Sequence, residues 1–334
     1  MKGRALAWLR WAAAALLLAL AARLVFANPE PLRKLLEVRL EVVLAIAGLI
    51  ICNQVLIACR LALAVSQCGG HGVPGWTWFR LTSIGQFLNL FVPQLGNLFR
   101  AVALKRDHGI PYTLYAAGLF AFVWLDLVIG LLLSIAAIAV LEPGFAVAGV
   151  SAVVALSGLL LLVLAAPFLA GRLVPLLPLQ NGWAGRVQQR SAGLLAVSLK
   201  AVQSARFLGQ AFVLNLLMVT GQVTTLWLAF NAVGAPIAFS RLILFQMLVK
   251  TSNQVVITPG NLGLTELIYG VFAGALNGGV QQGIAVALLL RTLGTVIVIA
   301  VGLLLGGASL LRGGRGALSV KDQPGAEGAS AIKK

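Results

Sequence analysis

Charged side chains are scarce in this sequence. Only 10% of its 334 residues are charged and 60% are hydrophobic, whereas a soluble domain carries about 25% charged residues. The mean hydropathy of +0.98 agrees with this shortage. An ordinary soluble domain is therefore excluded, and the composition predicts an integral membrane protein. Because the apolar runs are long and do not alternate with period two, we expect membrane helices and not a β-barrel.

Cysteine and histidine are also rare. The three cysteines are Cys52, Cys59 and Cys68, and the two histidines, His71 and His108, fall in predicted loops. We interpret the cysteines as small apolar side chains of a packed helix and not as a disulfide or metal site. No G-x-x-x-x-G-K-[ST] motif for nucleotide phosphates is present. We therefore expect no metal and no cofactor.

Acidic residues are few, and basic residues are not. Lys and Arg number 25 against nine Asp and Glu, a net charge of +16. Because the basic residues flank apolar runs, we expect anionic lipid headgroups as partners and not nucleic acid. The segment 171–206 is the most basic, with Arg172, Arg186, Arg190, Lys200 and Arg206 and no acid. It predicts an inner (plasma) membrane protein with both termini in the cytoplasm.

The apolar runs predict an all-α polytopic fold with about seven or eight transmembrane helices. We expect a retained first helix that ends near Phe26, and an interfacial amphipathic helix at 183–207. The main later spans are predicted at 42–65, 112–141, 145–170, 207–230 and 283–311. Residues 1–311 would form one membrane domain, followed by a disordered cytoplasmic tail at 312–334.

Two further apolar stretches contain helix breakers. The first, Phe79–Leu104, breaks near Pro93, and the second, 242–276, breaks at Pro259-Gly260 with Gly263 shortly after. Broken backbone at membrane depth survives only where protein or water surrounds it. Both stretches are therefore predicted to be re-entrant or broken helices.

The two breaks match each other in spacing. Pro93 precedes Arg100 by seven residues, and Pro259 precedes Glu266 by seven, so both offsets are 166 (259 − 93 and 266 − 100). The two matched charges, Arg100 and Glu266, have opposite signs. A further charge within an apolar run follows each break, and these two charges also have opposite signs.

Those further charges are Asp126, 33 residues after the first proline (126 − 93), and Arg291, 32 residues after the second (291 − 259). The halves, about 41–141 and 207–311, would run in opposite directions across the membrane. Inverted repeats with broken helices near the midplane are typical of secondary transporters.

The charges at depth predict two ion pairs, Arg100–Asp126 and Glu266–Arg291, because isolated charges in lipid are costly. The pairs would either only pin helices together or line a polar cavity, and the second interpretation is favoured beside two helix breaks. Lys250 is expected to be unpaired, either at the site or with its amine extended to the outer face.

Other polar residues have two open interpretations. Arg60, near the end of its helix, is predicted to extend to the headgroups. Several amides would satisfy exposed backbone or line an aqueous path: Gln86, Asn89, Asn97, Asn253, Gln254 and Asn261.

From about residue 40 to 311 the chain resembles the flippase-like family typified by the membrane half of lysylphosphatidylglycerol synthase. The family pairs a Pro–x–x–Gly–x–x–x–Arg segment with a Pro–Gly–x–x–Gly–x–x–Glu segment and a later helix that contains Arg. The matching residues are Pro93, Gly96, Arg100, Pro259, Gly260, Gly263, Glu266 and Arg291. Asp126 fits the acid in the helix after the first motif.

The resemblance implies movement of a lipid or lipid-linked headgroup between leaflets. Arg100, Arg291 and Lys250 would contact an anionic headgroup, while Glu266 and Asp126 would orient those cations or titrate. Only 23 residues follow position 311 (334 − 311), so we expect no aminoacyl-transferase domain and no enzyme activity.

Two other functions stay open. The chain could be a non-catalytic lipid-binding partner of a glycosyltransferase or lipid-modifying enzyme. An intramembrane transferase is the weakest hypothesis, because the acids are not clustered as a divalent cation would require.

Overall fold

A computed structural model describes residues 37–92, 94–141, 143–147, 149–173, 197–200, 202–252 and 263–307, with the single positions Arg23, Arg33, Gly193 and Asn261. The predicted first helix, most of the predicted interfacial helix and the tail lie outside the described residues. Pro93, Pro259 and Gly260 do as well.

The described residues form nine α-helices. Their bounds are α1 Leu40–Gln67, α2 Gly75–Asn89, α3 Leu95–His108, α4 Tyr112–Leu141, α5 Ala152–Leu173, α6 Ala205–Ala232, α7 Phe239–Ser252, α8 Leu264–Ala275 and α9 Val280–Gly302. A π-helical turn, Leu303–Gly307, continues α9. Five of the helices, α1, α4, α5, α6 and α9, are long and apolar enough to cross a membrane. The prediction of an all-α membrane protein is confirmed, and the total of seven or eight spans stays a prediction.

The return after α4 begins later than predicted. Two short antiparallel strands, β1 Ala146–Val147 and β2 Val150–Ser151, precede α5. Gly149 adopts a positive φ of 81° in the turn between the strands, a conformation that glycine accepts without strain. The outer connection therefore ends in a small hairpin, and α5 starts at Ala152 and not at Phe145.

Helix α1 has one apolar face outside, and it keeps Arg60 and Gln54 inside beside buried apolar residues. Its exposed large apolar residues follow helical spacing: Leu40, Leu44, Ile51 and Val55. Arg60 and Gln54, by contrast, are both 4% exposed. This arrangement suits a helix whose outer face meets lipid, because the only polar surroundings are inside the protein.

Two hydrophobic cores lie side by side. The first joins α1 to the α2–α3 hairpin and the start of α4, around Leu61, Trp78 and Leu104. The second joins α1 to α6, α7, α8 and α9, around Phe230 and Phe245. Helix α1 contributes to both cores and packs along α6. It therefore holds the earlier and later helices together.

Glycines bring the short helices close to their partners. A Cβ at Gly96 of α3 would overlap the backbone carbonyl of Gly85 in α2. A Cβ at Gly283 of α9 would likewise overlap the carbonyl of Tyr269 in α8. Each hairpin is therefore packed backbone against backbone, which positions the residues at its tip.

Candidate functional site

The second break ends at the start of α8. Asn261 and Gly263 both have positive φ, 50° and 77°, so the chain turns sharply just before the helix. Glu266 lies in the first turn of α8 and is 1% exposed. A carboxylate is favoured at this end of a helix, where the backbone N–H groups point toward it.

Arg291 of α9 contacts both Glu266 and the backbone at the end of the second break. Its Nε lies 2.9 Å from Glu266 Oε1, and its Nη2 donates to the carbonyl of Asn261 at 3.2 Å. The predicted Glu266–Arg291 pair is confirmed. Glu266 Oε2 is buried and has no hydrogen-bond partner in the described part of the chain. One acceptor of the pair is thus left for a water, a proton or a ligand.

The first break is arranged differently. The chain turns at Gln94, whose φ is 67°, and Asn89 Oδ1 accepts a hydrogen bond of 2.7 Å from Gly96 N–H. Arg100 is 7% exposed. It donates from Nε to Gly96 O at 3.1 Å and from Nη2 to Asn97 Oδ1 at 2.9 Å.

The predicted Arg100–Asp126 pair is wrong. Helix α3 packs against the start of α4, where Leu104 and Tyr115 share a core. Asp126 lies 11 residues beyond Tyr115 (126 − 115), which is about 16 Å along a helix. Among the described residues no carboxylate forms a salt bridge with Arg100.

Asp126 binds two other cations. Arg60 Nη2 donates to its Oδ1, and Lys250 Nζ lies 2.6 Å from its Oδ2, in an ion contact that does not meet hydrogen-bond geometry. The side chains of Arg60, Asp126 and Lys250 are only 3%, 10% and 10% exposed. The prediction that Arg60 extends to the headgroups is therefore wrong, and so is the prediction that Lys250 is unpaired, whether at the site or at the outer face. The shared carboxylate lowers the cost of burying the two cations, although one acid balances only one of the two positive charges.

The same group ties four helices together. Arg60 lies over the ring of Phe122, with Cζ 4.7 Å from the ring centroid, and its Nη1 lies 2.8 Å from Met218 Sδ. It thus joins α1, α4 and α6, and Lys250 adds α7. The group leaves a cavity of only about 10 Å³ beside it, so its geometry suits helix attachment better than ligand binding.

A larger cavity of about 310 Å³ lies between the earlier and the later helices. Its polar lining is Asn53, Gln54, Gln86, Gln222, Thr225, Gln246 and Tyr269. Its apolar lining is Ile50, Ile57, Leu226, Leu290 and Val298, with Gly294. Asn53 and Gln54 lie at the middle of α1, so the polar groups are far from either end of that span.

Amides dominate this polar lining. Gln246 Nε2 donates to Gln222 Oε1 at 2.9 Å, and Thr225 Oγ1 donates to the carbonyl of Gly221 at 2.8 Å. Gln54 has no partner for either amide atom, and Asn53 has none for Oδ1, within the described residues. Unpaired buried amides are costly, and they mark this cavity as a place for a hydrogen-bonding occupant.

The sequence interpretation singled out only Gln86 of these amides. Asn53, Gln54, Gln222 and Gln246 were missed, although each interrupts an apolar run. The available signal is an uncharged polar residue within an apolar helix, which is weaker than the signal of a charge because a neutral amide costs less to bury.

The cavity and the Glu266–Arg291 pair are neighbours by helical spacing. Tyr269 follows Glu266 by three residues and Gly294 follows Arg291 by three, and side chains three apart share a helix face. Both Tyr269 and Gly294 line the cavity. No cluster of three or more metal-ligating side chains occurs in the part of the chain that the structure describes.

Five candidate spans, buried charges and a cavity lined by amides and apolar side chains define a multi-pass helical membrane protein. The chain belongs to the family described as the lysylphosphatidylglycerol synthase transmembrane region, whose profile matches residues 7–302. Neither curated proteins nor solved structures gave a match. Its family therefore places the chain among membrane proteins with a lipid-related role.

Proposed function

We propose that this protein moves a lipid between the two leaflets by passing its headgroup through the central cavity. The observation that carries the proposal is the 310 Å³ polar cavity between the earlier and later helices. Headgroups cross the hydrocarbon region only at high cost unless polar partners replace water. Seven polar side chains line the cavity and supply such partners, in a chain whose family is lipid-related.

A repeat with two broken helices is part of this proposal. The helix lengths recur in order, 28, 15, 14 and 30 residues in α1 to α4 and 28, 14, 12 and 23 in α6 to α9. The starts differ by 165 (205 − 40), 164 (239 − 75), 169 (264 − 95) and 168 (280 − 112). These offsets lie close to the 166 between the two motifs. They support two halves that rock against each other around the cavity.

The buried charges receive different roles in the proposal. Arg291, whose side chain is 24% exposed, and Arg100, without a carboxylate partner among the described residues, would contact a headgroup phosphate. Glu266 would orient Arg291 and accept a proton on its free oxygen. Asp126 would instead hold Arg60 and Lys250, and with them the helices.

The location of the protein also belongs to the proposal. The basic segment 171–206 supports an inner-membrane protein with both termini in the cytoplasm. We expect no enzymatic step, since the acids stay apart: Asp126 is engaged with two cations and Glu266 with one.

The test is lipid translocation in proteoliposomes that contain a fluorescent phospholipid, with dithionite added outside to bleach the outer leaflet. The protein should increase the bleached fraction beyond about half. Glu266→Gln should abolish this gain while folding and expression are kept, because the neutral amide still reaches Arg291 but cannot carry the charge.

Glu41→Gln is the matched control, since Glu41 is exposed and, among the described residues, pairs with Arg39 just before α1. Wild-type translocation by Glu266→Gln would contradict the role of the acid. If the wild-type protein moves no lipid above empty liposomes, the chain is better explained as a lipid-binding partner of another enzyme.

A further inference from the structure

The inference starts from the unpaired amide of Gln54. This side chain is 4% exposed and lines the cavity. Neither its Nε2 nor its Oε1 has a hydrogen-bond partner in the described residues. An amide flip exchanges the two atoms and changes nothing, since both are unpaired. A complementary ligand must therefore donate one hydrogen bond and accept another at the same place.

The rest of the lining is also uncharged. Asn53 Oδ1 is a second buried acceptor without a partner among the described residues, and Gln222, Gln246 and Thr225 are neutral. Of the described residues, none that lines the cavity is Lys, Arg, Asp or Glu. Selection inside the cavity would therefore rest on hydrogen bonds and not on charge.

A bare phosphate fits this lining poorly. An ionised phosphate oxygen accepts hydrogen bonds but does not donate, so the carbonyl oxygens of Gln54 and Asn53 would stay unpaired. It would also bring a charge into a neutral cavity without a cation in the lining. A hydroxyl group both donates and accepts, and so meets both needs of the Gln54 amide.

The size of the cavity agrees with a small polar headgroup. Its 310 Å³ lies at the lower end of the range for ligand pockets, about 300–1,000 Å³. Filled with solvent it would hold about ten waters, at about 30 Å³ each. The ring of Tyr269 and the side chains of Ile50 and Leu290 add apolar surface beside the amides.

We propose that the central cavity selects a lipid headgroup with several uncharged hydroxyl groups, of the sugar or polyol class, over one that offers only phosphate oxygens. This deepens the proposed function and rests on it. A headgroup with both a phosphate and hydroxyl groups fits as well, with its phosphate at Arg291 beside the cavity and its hydroxyl groups at the amides.

Native mass spectrometry of the full chain tests this preference directly. The protein is purified in an amine-oxide detergent, because maltoside detergents themselves carry a sugar. It is then mixed with glucosyldiacylglycerol or with phosphatidic acid of the same acyl chains. The glucolipid should bind about tenfold more tightly, the effect of one or two net hydrogen bonds.

The matched variants are Gln54→Leu and Gln67→Leu, both in α1. Gln54→Leu should remove the preference while thermal stability is kept or increased, because it deletes two unpaired buried atoms. Gln67 is exposed at the end of the helix, so Gln67→Leu should keep the preference. If Gln54→Leu does not fold, Gln222→Leu serves in its place and should reduce the preference in the same direction.

Three outcomes would overturn the inference. These are equal binding of both lipids, a preference that survives both cavity variants, and binding of free glucose as tight as that of the glucolipid. Translocation is measured separately with fluorescent forms of the same two lipids. Selective binding without translocation would overturn the proposed function and leave the headgroup preference unchanged. Translocation without selective binding would overturn the headgroup preference and leave the proposed function unchanged.

Discussion

The two helix breaks stabilise a buried charge in different ways. At the second break, the carboxylate of Glu266 is paired with Arg291, which also binds the carbonyl of Asn261. At the first break, Arg100 binds the carbonyl of Gly96 and the amide oxygen of Asn97 without a carboxylate. Only at the second break does the arginine bind a carbonyl that precedes a helix, because Gly96 lies within α3 and its carbonyl is already part of the helical hydrogen-bond pattern. The second break also adds an acid, whereas among the described residues no acid pairs with the arginine of the first break.

The largest effect is expected from breaking the second pair. Arg291→Leu should lower the free energy of unfolding by about 3–5 kcal/mol, because it leaves Glu266 charged, buried and unpaired. Thermal or denaturant unfolding in a fixed detergent measures the loss. The double variant with Glu266→Gln should recover most of it, and a loss below about 1 kcal/mol in the single variant would contradict a buried ionised Glu266.

A smaller effect is expected at the glycine crossing of the first break. Gly96→Ala should cost about 1–3 kcal/mol, because the new methyl group meets the backbone of Gly85 and forces the two helices apart. Gly48→Ala in α1 is the control, since a Cβ there meets nothing within 4 Å. Equal stability of the two variants would show that the α2–α3 hairpin is not tightly packed.

The smallest change in stability is expected for Arg100→Leu, at about 1 kcal/mol. Two hydrogen bonds are lost, but no opposite charge is left unpaired and the cost of burying the cation disappears. Translocation of an anionic phospholipid should nevertheless fall strongly in the same variant, if Arg100 contacts the phosphate. A stability loss as large as that of Arg291→Leu would remove the distinction between the two breaks.

Several features were predictable because they depend on local chemistry. Apolar run length locates helices α1, α4 and α6 to within two residues and the start of α9 to within three, since a span needs about 20 apolar residues. Breakers and turn-formers place both interruptions, and positive φ at Gln94 and Gly263 marks where the chain turns. The Glu266–Arg291 pair was predictable as well, because α8 and α9 are consecutive helices joined by a short turn.

Other contacts were not predictable by the same reasoning. Asp126 was predicted to pair with Arg100, the charge of the first motif, but its partners Arg60 and Lys250 come from 66 and 124 residues away (126 − 60 and 250 − 126). Which cation reaches an acid depends on which helices are neighbours, and hydropathy carries no such information. Each amide of the cavity is visible in the sequence as an interruption of an apolar run, but that they meet at one cavity depends in the same way on which helices are neighbours.

The sequence by itself determined the class of protein, the long membrane helices, the two breaks and the family motifs, because composition, hydropathy and backbone propensity act within a segment. Only the tertiary structure decided that Asp126 holds Arg60 and Lys250, that Arg100 relies on neutral partners, and that amides from separate helices surround one cavity. These contacts join segments that are far apart in the sequence. The energy of a buried polar group depends on which groups the folded chain places beside it.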